Sequence, residues 1–325
     1  MKNFLAKHIR LVSPIRPLEL TPITALTAVL IAVPFVLTTY QTSITFEILR
    51  YAILGMALNL FYGLLGYVNF GQVAFYGLGA YATAVSVIVG VPLFLAPFVG
   101  GLIVAGLAYL LSLPLLRTRG IYFAIATLGL AETIRLSFLK IPFLGGSYGL
   151  VLHTSYQLVE AYYTLLAIFA SLLAVTYLIL KSSIGVELRA IREDEEAAES
   201  MGVNTVKYKR LVFTLSGFYT ALAGGVFAWL STYVNPETVF QTLTTIEMYI
   251  VVLIGGAGTM LGPVVGGIIF YISKINLLVN YPELHFLMFG ALLTITVRLA
   301  PRGIVGGLEQ YVRMRRIAKL RGRRA

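Results

Sequence analysis

Long apolar runs alternate with short polar connections along the whole chain. The runs mark spans at about 23–41, 46–66, 70–90, 92–114, 121–139, 161–180 and 211–233, then a discontinuous region at 246–275 and a last span near 284–300. As helices, runs of about 18 or more such residues can cross a hydrocarbon core of roughly 30 Å. They are continuously apolar and lack the two-residue alternation of a barrel strand. The pattern predicts an all-α polytopic membrane protein with roughly 8–10 transmembrane helices. Connections fall at Gly90-Val91-Pro92 and at Arg117-Thr118-Arg119-Gly120, where glycine, proline or charge ends a run.

Two stretches break the simple pattern. In IVVLIGGAGTMLGPVVGGIIFYI, the cluster Gly255-Gly256-Ala257-Gly258 with Pro263 beyond it interrupts any helix, so the segment near 246–275 is broken or re-entrant. Non-helical backbone at membrane depth survives only inside protein or beside a water-filled cavity, which makes Gly255, Gly256 and Gly258 candidates for a translocation path. A glycine packing seam is the competing reading. In GLLGYVNFGQVAFYGLGAYATA, residues 63–84, small residues offer a face for close helix packing. Asn69 and Gln72 within it are polar groups that need partners inside a bundle, and are candidates for the path as well.

Composition agrees with the pattern. Of 325 residues 58% are hydrophobic and 12% charged, with a mean hydropathy of +0.86, too little polar surface for a soluble domain. The net charge of +11 gathers at the ends, with Lys2, Lys7, Arg10 and Arg16 before the first span and Arg313, Arg315, Arg316, Lys319, Arg321, Arg323 and Arg324 after the last. Such residues flank spans on the cytoplasmic side and meet anionic lipid headgroups, so the basic charge points to the bilayer and not to nucleic acid. The chain then divides into a basic cytoplasmic leader (1–22), transmembrane helices (23–180), a cytoplasmic segment (181–210), further transmembrane helices (211–300) and a basic cytoplasmic tail (301–325). Two cytoplasmic termini require an even number of crossings, eight or ten. The first apolar run lacks a clear small-residue cleavage site and reads as a retained span.

Catalytic chemistry is sparse. The absence of cysteine excludes disulfides and thiolate sites, and His8, His153 and His285 never pair within a span, so no metal or haem site is expected. No phosphate-binding G-x-x-x-x-G-K-[ST] loop occurs, so any ATP would be bound by another chain. Glu132 and Arg135 lie three residues apart in the fifth span and read as a structural ion pair more readily than as a substrate contact. Glu247 opens the broken region.

Charge concentrates in one internal stretch. Residues 181–210 hold 12 charged residues in 30, including six of the chain's 14 acidic side chains. Gly185 to Met201 suits helix, with Arg189–Glu193 and Arg192–Glu196 as neighbours one turn apart. The acidic run 193–196 also suits the start of a second short helix, and Gly202 a C-terminal stop. Ala197, Ala198 and Met201 form a small apolar strip among charges, which suits a helix seated in a partner's groove; a solvated loop is the alternative.

Glu196-Ala197-Ala198, three residues, then Gly202 looks like the EAA-x₃-G signature of ABC importer permeases. With its surroundings, SSIGVELRAIREDEEAAESMGVNTVKYKRLVF resembles the coupling segment of branched-chain amino acid permeases of the LivM type. RTRGIYFAIATLGLAETIRL at 117–136, GGSYGL at 145–150, VVLIGGAGTMLGPVVGG at 251–267 and PRGIVGG at 301–307 resemble that family's blocks too. NFGQVAFYGLGAY at 69–81 is similar, with Asn-Phe-Gly-Gln where family members often show Ser-Leu-Gly-His. The resemblance implies a non-enzymatic permease subunit of a prokaryotic plasma (inner) membrane importer for branched-chain or related hydrophobic amino acids. It implies pairing with a LivH-type paralogue, two ABC ATPase subunits that bind ATP and Mg, and an extracytoplasmic substrate-binding protein, with no cofactor in this chain. Glu196, Ala197, Ala198, Met201 and Gly202 would be the ATPase-coupling residues. Related permeases serve sugars, urea or short amides, so these remain rival cargoes. A carrier or channel independent of ATP would instead need an ionisable path through the spans.

Overall fold

In a computed structural model, residues 17–280 are described, together with 290, 291, 294, 298 and 303–308. The leader up to residue 16, most of the span expected at 284–300 and the tail beyond 308 lie outside the described residues.

The described chain is helical almost throughout. It runs α1 (Pro17–Val36), α2 (Thr39–Leu65), α3 (Gln72–Ile88), α4 (Ala96–Leu115), α5 (Ile121–Lys140) and α6 (Leu158–Lys181), then two short helices, α7 (Ser183–Glu193) and α8 (Glu195–Ser200). α9 (Thr205–Ser231), α10 (Pro236–Val239), α11 (Thr242–Gly255) and α12 (Gly262–Asn280) complete it. Among the described residues six helical segments are long and apolar enough to cross a membrane, and Thr27–Val36 and Gln72–Ile88 are shorter apolar helices. The chain is an all-α polytopic membrane protein.

The first two boundaries differ from those expected. α1 begins at Pro17, inside the stretch read as leader, and α2 begins at Thr39, well before residue 46. The cause is local. Thr38 and Gln41 form a capping box, in which the Thr38 hydroxyl accepts from the Gln41 N–H and the Gln41 side chain accepts from the Thr38 N–H. α2 therefore runs 27 residues, about 40 Å. It is the central helix, 89% buried over its most apolar stretch, with α6, α9, α11 and α12 packed around it.

The small-residue stretch after α2 does pack closely. A Cβ at Gly79 would overlap the Ala221 backbone, and one at Gly224 would overlap the Tyr76 carbonyl, so α3 and α9 touch backbone to backbone. The broken region is a helical hairpin. α11 and α12 run antiparallel, with Gly255 against Gly262 and Gly266 against Val251, joined by a turn at 256–261 where Gly256 and Gly258 take positive φ.

The bundle has two distinct ends. At one, β1 (Leu150–Val151) pairs antiparallel with β2 (Tyr233–Val234), tying the α5–α6 connection to the segment after α9. At the other, the 66–71 loop, the α4–α5 loop around Arg119, the 256–261 turn and α7–α8 come together. Arg119 and the charged stretch share an end, as the alternation of spans requires. Among the six described spans α4 and α5 are the least enclosed, 33% and 22% buried, and turn Leu102, Leu110, Tyr122 and Ile125 outward.

Candidate functional site

The charged stretch folds as two helices, α7 and α8, the second opening within the acidic run 193–196. α7 is amphipathic and buries Leu188 and Ile191. It stops at Asp194, whose extended backbone turns the chain. The Asp194 carboxylate accepts from the Glu196 and Ala197 N–H groups at 3.0 Å each and so caps α8, with Glu195 and Glu196 in its first turn. α8 ends in a left-handed turn. Gly202 has φ 88°, its N–H donates to the Glu199 carbonyl at 2.9 Å, and the Val203 N–H donates to that of Ala198 at 3.0 Å.

The break at Asp194 reroutes the pair expected between Arg192 and Glu196. Arg192 donates to the Gly63 carbonyl at 2.5 Å near the end of α2, and Glu196 lies 3.4 Å from Arg119. The expected apolar strip is also divided. Glu196, Ala197, Met201 and Gly202 face outward, whereas Ala198 is buried within the chain.

Behind that outward face lies an ionic node. Glu195 accepts from Lys209 Nζ at 2.5 Å and from the Tyr67 hydroxyl, and lies 3.5 Å from Arg119. Lys209, at the foot of α9, is 2% exposed, with its ammonium 5.2 Å from the Tyr67 ring centre. Burial opposes ionisation of Glu195, but hydrogen bonds from Lys209 and Tyr67 and the nearby positive charges prevail and hold its carboxyl below the usual range. Burial, together with its bond to Glu195, pushes the Tyr67 phenol up. Arg119, half exposed, also lies 3.8 Å from Glu199, which accepts from Thr205 at 2.5 Å.

Asn69 and Gln72 sit in a buried polar knot at the start of α3. Asn69 Nδ2 donates to Gln72 Oε1 at 2.8 Å, and the Tyr249 hydroxyl on α11 accepts from the Asn69 N–H at 2.6 Å. Gln72 Nε2 donates to the Ser216 hydroxyl at 2.9 Å and to Thr220 Oγ1 at 2.5 Å, both on α9. Gly258 belongs to the hairpin turn, where its N–H donates to Asn59 Oδ1 at 2.8 Å and Asn59 Nδ2 donates to the Thr259 carbonyl at 2.9 Å. Gly255 and Gly256 lie at the same turn, so the glycine turn and the charged stretch meet where Arg192 approaches Gly258. Glu132 and Arg135 pair at 2.5 Å on α5, away from this cluster.

A second charged cluster lies toward the opposite end and was not anticipated. Glu47 and Arg50 pair at 2.5 Å on α2, and Arg50 donates to the Tyr76 hydroxyl at 3.0 Å. Glu247 accepts from Lys274 at 2.5 Å and from the Tyr51 hydroxyl at 2.8 Å, closing α11 onto α12 and α2. The signal was present in the sequence as an i,i+3 pair at 47 and 50 and as opposite charges on either side of the glycine turn.

Two groups of relatives are similar to the chain. The high-affinity branched-chain amino acid transport system permease protein LivM of Salmonella typhimurium is 27% identical over 314 residues, covering 86% of this chain and 73% of the relative. LivH of the same system in Escherichia coli is 26% identical over 287 residues, covering 80% and 92%. A fructose import permease protein, FrcC of Rhizobium meliloti, is 27% identical over 129 residues, 38% of this chain. No solved structure matches significantly. The family described as branched-chain amino acid transport system / permease component matches residues 40–297, which takes in α2 to α12 with the divided charged stretch between them, and the chain belongs to that family.

Proposed function

We propose that the chain is the membrane subunit of an ATP-driven importer of branched-chain amino acids, coupled to a separate ATPase through α7 and α8. The family match over residues 40–297 carries the transport reading. Similarity to both LivM and LivH supports a permease built from two related subunits. The outward face of α8 supports the coupling reading, because Glu196, Ala197, Met201 and Gly202 stand exposed on a capped helix that is anchored from behind. ATP and Mg are bound by the ATPase chains, and an external binding protein presents the amino acid. The charged end is cytoplasmic, in a prokaryotic plasma membrane. Closure of the ATPase dimer displaces α8, and the bundle exchanges access between its two ends because ATP favours one of its states.

Gly202→Asp tests the docking. A Cβ there meets nothing within 4 Å, so this chain has room for it, and aspartate tolerates the left-handed region better than most residues. Its added charge falls on the outward face. The variant is expected to reach wild-type levels in the membrane but to lose its co-purified ATPase in mild detergent, or to retain it without uptake. Normal leucine uptake by a stably expressed variant would overturn the docking assignment.

A further inference from the structure

The two faces of α8 have different partners. Its outward side chains stand exposed toward another protein, while Glu195 turns inward and meets three separate segments. Lys209 belongs to α9, Tyr67 to the 66–71 loop and Arg119 to the α4–α5 loop. We propose that Glu195 is the positioning residue that passes displacement of α8 to the membrane helices, acting as one rigid link to the foot of α9 and to the 66–71 loop. The inference rests on α8 being the element an ATPase moves.

The chemistry makes this link stiff in one place and loose elsewhere. Lys209 is almost fully enclosed, and a buried ammonium cannot be left without its carboxylate at low cost. Lys209 therefore follows Glu195 wherever α8 goes. The contacts of Arg119 are half exposed and 3.4 to 3.8 Å long, and pairs of that kind hold weakly. α7 ends and α8 begins at the extended backbone of Asp194, a break at which α8 can tilt relative to α7.

The second arm reaches the core. Tyr67 stands two residues before Asn69, whose knot with Gln72 joins the loop to Ser216 and Thr220 on α9 and to Tyr249 on α11. The Val73 N–H donates to Thr245 Oγ1 on α11 at 3.1 Å. A pull on Tyr67 thus passes along the backbone to Asn69 and from there acts on three packed helices, α3, α9 and α11, through buried hydrogen-bonded groups. The Glu195–Tyr67 bond spans 128 positions of sequence, which is why no local pattern marks it.

The test uses the assembled transporter in liposomes, with this chain, its paired permease, the ATPase subunits and the binding protein, and radiolabelled leucine as probe. Uptake per ATP hydrolysed is measured for wild type, Glu195→Gln and Tyr67→Phe. Tyr67→Phe removes only the hydroxyl and keeps the ring over Lys209, so it carries the test if Glu195→Gln is not recovered folded. Both variants should retain the ATPase. Glu195→Gln should lower uptake per ATP by about tenfold and Tyr67→Phe by about threefold, within the range over which single residues modulate coupling. A purely structural role would lower the amount of transporter and leave that ratio unchanged. An unchanged ratio in both variants, or an ATPase lost from Glu195→Gln, overturns the link. A wild-type chain that holds no ATPase and moves leucine without ATP overturns the importer reading itself, and the link with it.

Discussion

Glu195 lies outside the membrane-spanning helices, so its ionisation can be followed directly. Burial opposes the charge, and its bonds to Lys209 and Tyr67 with the charges of Lys209 and Arg119 more than offset that opposition. A carboxylate whose pKa is depressed on folding adds stability above its unfolded pKa, and that stability is lost as pH falls through the folded value. Glu195→Gln lacks the contribution at every pH. The gap in thermal midpoint between wild type and Glu195→Gln in detergent should be widest near neutrality and should close below about pH 4. A gap that persists unchanged to about pH 3 would show that the carboxylate charge is not what joins α8 to α9. At this scale the sequence was half legible. Density of charge singled out residues 181–210, and glycine chemistry placed the left-handed stop at Gly202. Partner choice was hidden, since helical spacing paired Arg192 with Glu196, whereas the Asp194 cap separates them and sends Arg192 to Gly63 and Glu196 to Arg119.

Between elements, opposite charges do what hydropathy cannot report. The region at 246–275 was legible as broken because Gly255, Gly256 and Gly258 exclude a continuous helix. Its arrangement as an antiparallel hairpin depends on contacts, among them Glu247 with Lys274 and Tyr51, whose side chains come from α11, α12 and α2. Glu247 is 5% exposed and Lys274 20%, so truncating one partner strands the other with little water. Glu247→Gln should destabilise the chain by about 3 kcal/mol, and Glu247→Gln with Lys274→Met should regain most of it, since a buried pair removed whole often costs little. Thermal unfolding of both single variants and the double variant in detergent measures the coupling. If the double variant is as unstable as the sum of the singles, the pair is not what closes the hairpin. Glu47 and Arg50 lie inside the span expected at 46–66, and the partner that buries them, Tyr76 on α3, comes from another element that hydropathy does not report.

For the whole molecule, the pattern of apolar runs gave the class of protein but only relative sidedness, which the contacts make concrete. β1 and β2 join at one end, and Glu195, Tyr67, Arg119 and Arg192 meet at the other. Helices that alternate in direction place the two ends on opposite faces of a bilayer, and the proposed function expects the charged end in the cytoplasm. The chain has no cysteine, so single introduced thiols report position without background. Tyr148 in the β1 connection and Met201 at the end of α8 are 88% and 80% exposed, and neither side chain is needed to hold its turn. In intact cells with a permeable outer layer, a membrane-impermeant maleimide should label Tyr148→Cys and leave Met201→Cys unmodified until the membrane is opened. The reverse labelling would put α8 outside the cell, where no ATPase can reach it, and both the docking of α8 and the link through Glu195 would fall together.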